Sequence, residues 1–124
     1  MPDDTAPPSC SPQRLNEIRV VLDQVANKWS IMILTLLCDG PIRFNEIKRR
    51  IGSITHKSLT EALRRLERCG LIRREVICSS PVAVQYEITD LGITLGAPVM
   101  ALLQWTENHA SKVLDAQQQY DSEH

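Results

Sequence analysis

From Lys28 to Cys38 the chain is almost wholly apolar, with Trp29, Ile31, Met32, Ile33, Leu34, Leu36 and Leu37 in close succession. Asp39-Gly40-Pro41 ends the run, because glycine supplies a C-terminal turn and proline cannot continue a helix. A helix apolar on every side has to be surrounded by other elements. The run is too short for a membrane span, which needs ~18 consecutive apolar residues. In 124 residues, one domain's worth, the expected solution is a small core with this helix at its centre. The flanking sequence supplies the cover.

Before the run, Ser11 and Pro12 open a helix as N-cap and first residue, and Leu15, Ile18, Leu22 and Val25 follow at helical spacing to about Asn27. Residues 1–11, with Pro2, Pro7 and Pro8, read as a disordered arm. After the run, Phe44, Ile47 and Ile51 mark one face of a short helix, with Lys48, Arg49 and Arg50 on the other, and Gly52-Ser53-Ile54 forms a turn. Thr55 then caps a helix reaching Cys69, with Leu59, Ala62, Leu63 and Leu66 at i, i+3, i+4 and i+7. At 100° per residue those four lie within about 60° of one direction. Arg64, Lys57, Arg68 and Glu61 fall at about 140°, 160°, 180° and 200°, and Thr60 at about 100°.

Leu71 to Cys78 is β-rich, and Val82, Val84, Tyr86 and Ile88 alternate with other residues across a Ser79-Ser80-Pro81 turn, which predicts a hairpin. Thr89-Asp90 caps a last helical stretch carrying Leu95, Val99, Leu102, Leu103 and Trp105, with Pro98 kinking it or marking its start. Residues 115–124 are expected to form a polar, fraying tail. The order is helix, helix, turn, helix, two-stranded wing, helix. That is a mainly α fold with a two-stranded β wing (α+β), a winged helix-turn-helix over 12–114.

Charge gives the fold a direction. Residues 43–74 hold ten Lys and Arg against three acids, a net +7, whereas the rest holds four against twelve, a net −8. A chain near neutral overall thus gathers its cations on the helix-turn-helix, as expected of a surface that meets a polyanion. The major groove of duplex DNA admits one α-helix, and the helix from Thr55 is the candidate. His56, Lys57, Thr60, Glu61 and Arg64 are placed to reach base edges. Arg43, Lys48, Arg49, Arg65, Arg68, Arg73 and Arg74 are candidate phosphate clamps, and the helix start at Thr55 offers free N–H groups for a phosphate. Arg50, Arg65 and Arg68 read equally well as solvated charges, and Glu67 as a partner for a neighbouring Arg.

Other functions find little support. No glycine-rich phosphate loop, paired carboxylates or nucleophile–base constellation is visible, so no enzyme and no cofactor is expected. Cys10, Cys38, Cys69 and Cys78 form no C-x-x-C pair and have no His at zinc-ligand spacing, which argues against a metal site. Cys38 and Cys69 are expected as small buried hydrophobes. The acidic start Met1-Pro2-Asp3-Asp4 is unlike an export signal and points to the cytoplasm.

Several motifs stand together in one order: Lys28-Trp29, Asp39-Gly40-Pro41 with Arg43-Phe44 and Ile47, Lys57-x-Leu59-Thr60-x-x-Leu63-x-x-Leu66, Gly70-Leu71-Ile72, and Val84-x-Tyr86-x-Ile88-Thr89-x-Leu91-Gly92. In these the chain resembles the HxlR-type transcriptional regulators over about Leu22 to Trp105. The resemblance implies a homodimeric bacterial regulator on a roughly palindromic operator. Its recognition helix maps to 55–69 and its wing to 71–88. Dimerisation maps to Leu15, Ile18 and Leu22 of the first helix and Val99, Leu102, Leu103 and Trp105 of the last. The apolar stripes on both helices point the same way, since so small a core leaves part of them uncovered.

The chain departs from that family twice. The family often carries a redox-sensing Cys thirteen residues before the Trp, where this chain has Asn16. Cys10 could substitute, given surroundings that lower its pKa. The family commonly places an Arg after the wing-tip Pro, whereas Pro81-Val82-Ala83 is apolar. The competing expectation is a winged-helix protein–protein module without DNA binding, which calls for a neutral or acidic outer face.

Overall fold

In a computed structural model, which describes residues 11–124, three helices carry the core: α2 (Lys28–Leu37), α3 (Phe44–Ile51) and α4 (His56–Arg68). Ile33 and Leu37 of α2, Ile47 of α3, and Leu59, Ala62, Leu63 and Leu66 of α4 are buried together. Caps set where the helices begin. The Asn27 side chain accepts from the Ser30 N–H at 3.0 Å, and that of Thr55 from the Ser58 N–H at 3.0 Å. In α3, Glu46 lies in the first turn and Lys48, Arg49 and Arg50 in the last, which suits the helix dipole.

α4 ends in a paired-bond stop. Leu71 N–H donates to the Leu66 carbonyl and Gly70 N–H to the Glu67 carbonyl, both at 3.0 Å, and Gly70 takes φ 77° to allow it. The chain then enters β2 (Ile72–Ser79) and returns as β3 (Val82–Ile88), antiparallel, with Ile72 opposite Ile88 and Arg74 opposite Tyr86. A register shift between Val76 and Cys78 makes a bulge near the tip.

The sheet has one strand more than the sequence predicts. Ile42 and Arg43, to which the sequence assigns no element, form β1, which pairs with β3 so that the order is β1-β3-β2. Two residues are too few for a period-2 pattern, so this strand leaves no local signal.

Thr89 is the joint between wing and core. Its Oγ1 donates to the Gly70 carbonyl at 2.6 Å and accepts from the Gly92 N–H at 3.1 Å, while its own N–H donates to the Leu71 carbonyl at 3.0 Å. The chain after it turns through α5 (Asp90–Ile93) tight against Leu71 and against Ile88 at the end of β3. A methyl group at Gly92 would come within 2.2 Å of the Leu71 carbonyl oxygen, so the position has room only for hydrogen.

Two helices lie outside this core. α1 (Pro12–Val25), capped by Ser11 and opened by Pro12, has no buried residue. α6 (Gly96–Glu123) buries only Val99 and has Pro98 in its first turn. At 28 residues it is ~42 Å long. Residues 115–124, expected to fray, instead continue this helix as far as Glu123. Cys38 is a further correction, because it caps the end of α2 and is exposed rather than buried. Cys69, also expected as buried, is half-buried, because its place at the end of α4 is at the edge of the apolar face. Among the described residues no single helix is long and apolar enough to cross a membrane.

Candidate nucleic-acid interface

α4 divides cleanly. Leu59, Ala62, Leu63 and Leu66 face inward at 1% exposure or less, and His56, Lys57, Glu61, Arg64 and Arg68 are exposed. Lys57 and Arg64 are seven residues apart, two helical turns or ~10 Å along the axis, on the same side. His56, at the first turn, is steadied by the Phe44 ring of α3 at 5.0 Å between centroids.

Thr60 departs from the expectation of a base-reading hydroxyl. It is half-buried, and its Oγ1 is out of solvent with no hydrogen-bond partner among the described residues. A helical position about 100° from the apolar centre is a boundary, and the surrounding fold tips it inward. Arg65 departs further. It is half-buried, donates from Nη2 to Asn27 Oδ1 at 3.3 Å, and keeps Nε out of solvent. A side chain turned back to the α1–α2 junction is poorly placed as a phosphate clamp.

The other cations fall into two groups. Arg49 and Arg50 both hold Glu46, through 2.9 Å and 2.8 Å bonds from their Nε atoms, and Arg73 holds Glu87 across the hairpin at 2.8 Å. Hydrogen bonds from Arg49 and then Arg50 lower the Glu46 pKa to about 2, and Glu46 in turn raises that of Arg49. These arginines remain exposed but share their charge with a carboxylate. Arg43, Lys48, Lys57, Arg64, Arg68 and Arg74 enter no ion pair among the described residues. Glu67, expected to pair with a neighbouring Arg, is likewise in no ion pair there.

Arg74 and Arg43 flank a cleft of about 510 Å³ between the start of α4, the start of α3 and the wing, lined also by Phe44, His56, Val84 and Tyr86. Tyr86 is buried at 8% exposure. Desolvation pushes its hydroxyl pKa up, and the positive charge of the Arg74 guanidinium pulls the other way. Tyr86 is the buried residue of β3, and its proximity to Arg74 comes from cross-strand register. The wing tip is apolar and open, with Val82 at 69% and Val76 at 51% exposure.

The residues assigned to dimerisation split. Leu15, Ile18 and Leu22 on α1 and Leu102 and Trp105 on α6 are exposed, from 38% to 52%. Leu103 is half-buried, beside Met32, Leu36 and Ile51 in an apolar groove. Val99, however, is buried in its own chain and is a core residue rather than a free contact. Asn16 lies on α1 and accepts from Arg19 at 2.9 Å. Cys10 lies outside the described residues. Among the described residues no group of His, Cys, Asp and Glu could hold a metal ion.

The model of the HxlR-like helix-turn-helix family matches residues 24–114. An uncharacterised HTH-type transcriptional regulator of Methanothermobacter thermautotrophicus is 39% identical over 97 residues, 78% of this chain and 74% of its own length. Among solved structures, ytfH from Salmonella typhimurium superposes with a TM-score of 0.75 at 34% identity, over 82% of this chain and 90% of that one. The redox regulator HypR in its reduced form gives 0.72 at 36% identity, over 81% and 98%.

Proposed function

This chain belongs to the HxlR-like helix-turn-helix family of DNA-binding transcriptional regulators, and on that premise we propose that it binds a roughly palindromic operator as a homodimer, with α4 in the major groove. The observation that carries this reading is the outer face of α4. Lys57, Arg64 and Arg68 stand exposed, in no ion pair among the described residues, opposite a fully buried apolar face. A convex cationic ridge held rigidly from behind is the shape that a groove accepts.

Roles follow from position. Lys57 and Arg64 are the donors for guanine edges, Glu61 the acceptor for a cytosine amino group, and His56 reads from the first turn. Arg43, Lys48, Arg68 and Arg74 hold phosphates, aided by the N–H groups at the helix start after Thr55, and fix register without reading sequence. Arg49 and Arg73 contribute less, each sharing its charge with a carboxylate. The apolar wing tip has no cation for the minor groove, so in this reading the wing acts through Arg74 at its base.

The dimer rests on uncovered apolar surface. α1 carries Leu15, Ile18, Val20, Val21 and Leu22 between 38% and 58% exposed, and a lone helix of 14 residues is marginal in water. A second copy covering α1 and the outer stripe of α6 removes both problems. Binding to random duplex DNA at two salt concentrations tests the central reading. Affinity should fall steeply with salt as counterions are released, and affinity indifferent to salt would reject it. Sequencing duplexes enriched from a random pool then gives the operator and its symmetry.

A further inference from the structure

Arg64 and Arg65 are neighbours on α4, yet their charges go to opposite places. Arg64 is exposed, while Arg65 turns inward with Nη2 on Asn27 Oδ1, across 38 residues of sequence. A long side chain on a helix surface has solvated conformers available, and an Nε held out of water with no partner among the described residues is costly. The side chain's one hydrogen bond among the described residues is the one from Nη2 to Asn27, so Asn27 is the anchor.

Asn27 is itself rigidly placed. It sits where α1 and α2 meet at a 66° bend. Its Oδ1 already accepts from the Ser30 N–H at 3.0 Å as the cap of α2, and its Nδ2 donates to the Gln24 carbonyl at 3.5 Å. The same carbonyl accepts from the Oγ of the fully buried Ser30 at 3.2 Å. The end of α1, the start of α2 and the third turn of α4 thus meet in one polar node.

We propose that Arg65 is a positioning residue that ties the recognition helix to the dimer frame, and so sets the separation of the two recognition helices rather than the strength with which either grips DNA. The proposal rests on the dimeric reading above. In it α1 is the helix against the partner, and the node is the polar tie from its end to α4. Loosening that tie lets each α4 tilt independently. A single half-site tolerates the tilt, whereas two half-sites at fixed spacing do not.

The test uses the full chain and the duplex that the wild type enriches most strongly from a random pool. That duplex is compared with versions whose spacer is longer or shorter by one or two base pairs, and with a single half-site. Arg65→Met keeps the apolar stem and removes the guanidinium. Asn27→Ser keeps a cap for α2 but is too short to reach Arg65. Each variant should lose about fivefold or more of the wild-type preference for the natural spacing, with half-site affinity and salt slope unchanged. The double variant should lose no more than either alone.

Spacing preference unchanged in both variants would overturn the proposal. So would an Arg65→Met salt slope lower by about one with equal loss on every duplex, the behaviour of a phosphate clamp. Should Arg65→Met fail to fold, the same measurements on Asn27→Ser decide alone. Failure of the wild type to enrich any duplex would instead sink the DNA-binding reading on which the coupling depends.

Discussion

α1 and α4 are amphipathic helices of nearly equal length, 14 and 13 residues, each opened by a side-chain cap. One buries four apolar side chains and the other none. The difference lies in who covers the stripe. α4 lies on α2 and the base of the wing, inside the chain's own core, whereas the α1 stripe finds no comparable cover there. An apolar face in sequence states that it will be covered and leaves open whether its own chain or another copy does so.

Substitutions on the two helices should therefore separate. The largest effect is expected inside α4. Leu66→Ala should lower unfolding free energy by ~2–5 kcal/mol in urea titration, since the side chain is fully buried. A loss below ~1 kcal/mol would mean that the inner face of α4 is not the core it is taken to be. Gly92→Ala, which drives a methyl into the Leu71 carbonyl, should cost ~1–3 kcal/mol in the same titration, less if α5 can shift.

On α1, Leu22→Glu should leave the far-ultraviolet spectrum of the core helices nearly intact and convert the protein to a monomer in light scattering at micromolar concentration. Collapse of the fold instead would place α1 within the core and erase the contrast. On the outer face of α4, Arg64→Ala should leave the urea midpoint in place. It should weaken binding to the enriched duplex by ~1–3 kcal/mol and relax preference at one base pair. Equal loss on all sequences would reassign Arg64 to a phosphate.

The smallest effect belongs to Glu46. Its pKa lies at about 2 in the fold against an ordinary 4.5, so what its bonds contribute is present above pH 4.5 and is lost as pH falls toward 2. The group is solvent-accessible, and the stability change over that window should be slight. Glu46→Gln releases Arg49 and Arg50 and should steepen the salt dependence of DNA binding by up to about one in slope. An unchanged slope would mean that α3 keeps its cations away from the duplex.

Much of this molecule was legible from residues close together in sequence. Caps at Ser11, Thr55 and Thr89, the stop at Gly70, the inner face of α4 and the hairpin around Pro81 all depend on neighbours within a few positions. The concentration of cations between Arg43 and Arg74 is likewise a property of the chain itself. Distance along the chain is where that reading stops. β1 exists because β3 is there to pair with it, forty-odd residues on. Arg65 leaves the outer face because Asn27 lies within reach, and Arg74 meets Tyr86 through strand register. Helical periodicity assigns a residue to a side of its own helix. Which neighbour stands on that side, and whether a given charge faces water, a carboxylate or an amide, is decided only when separate elements are packed against one another.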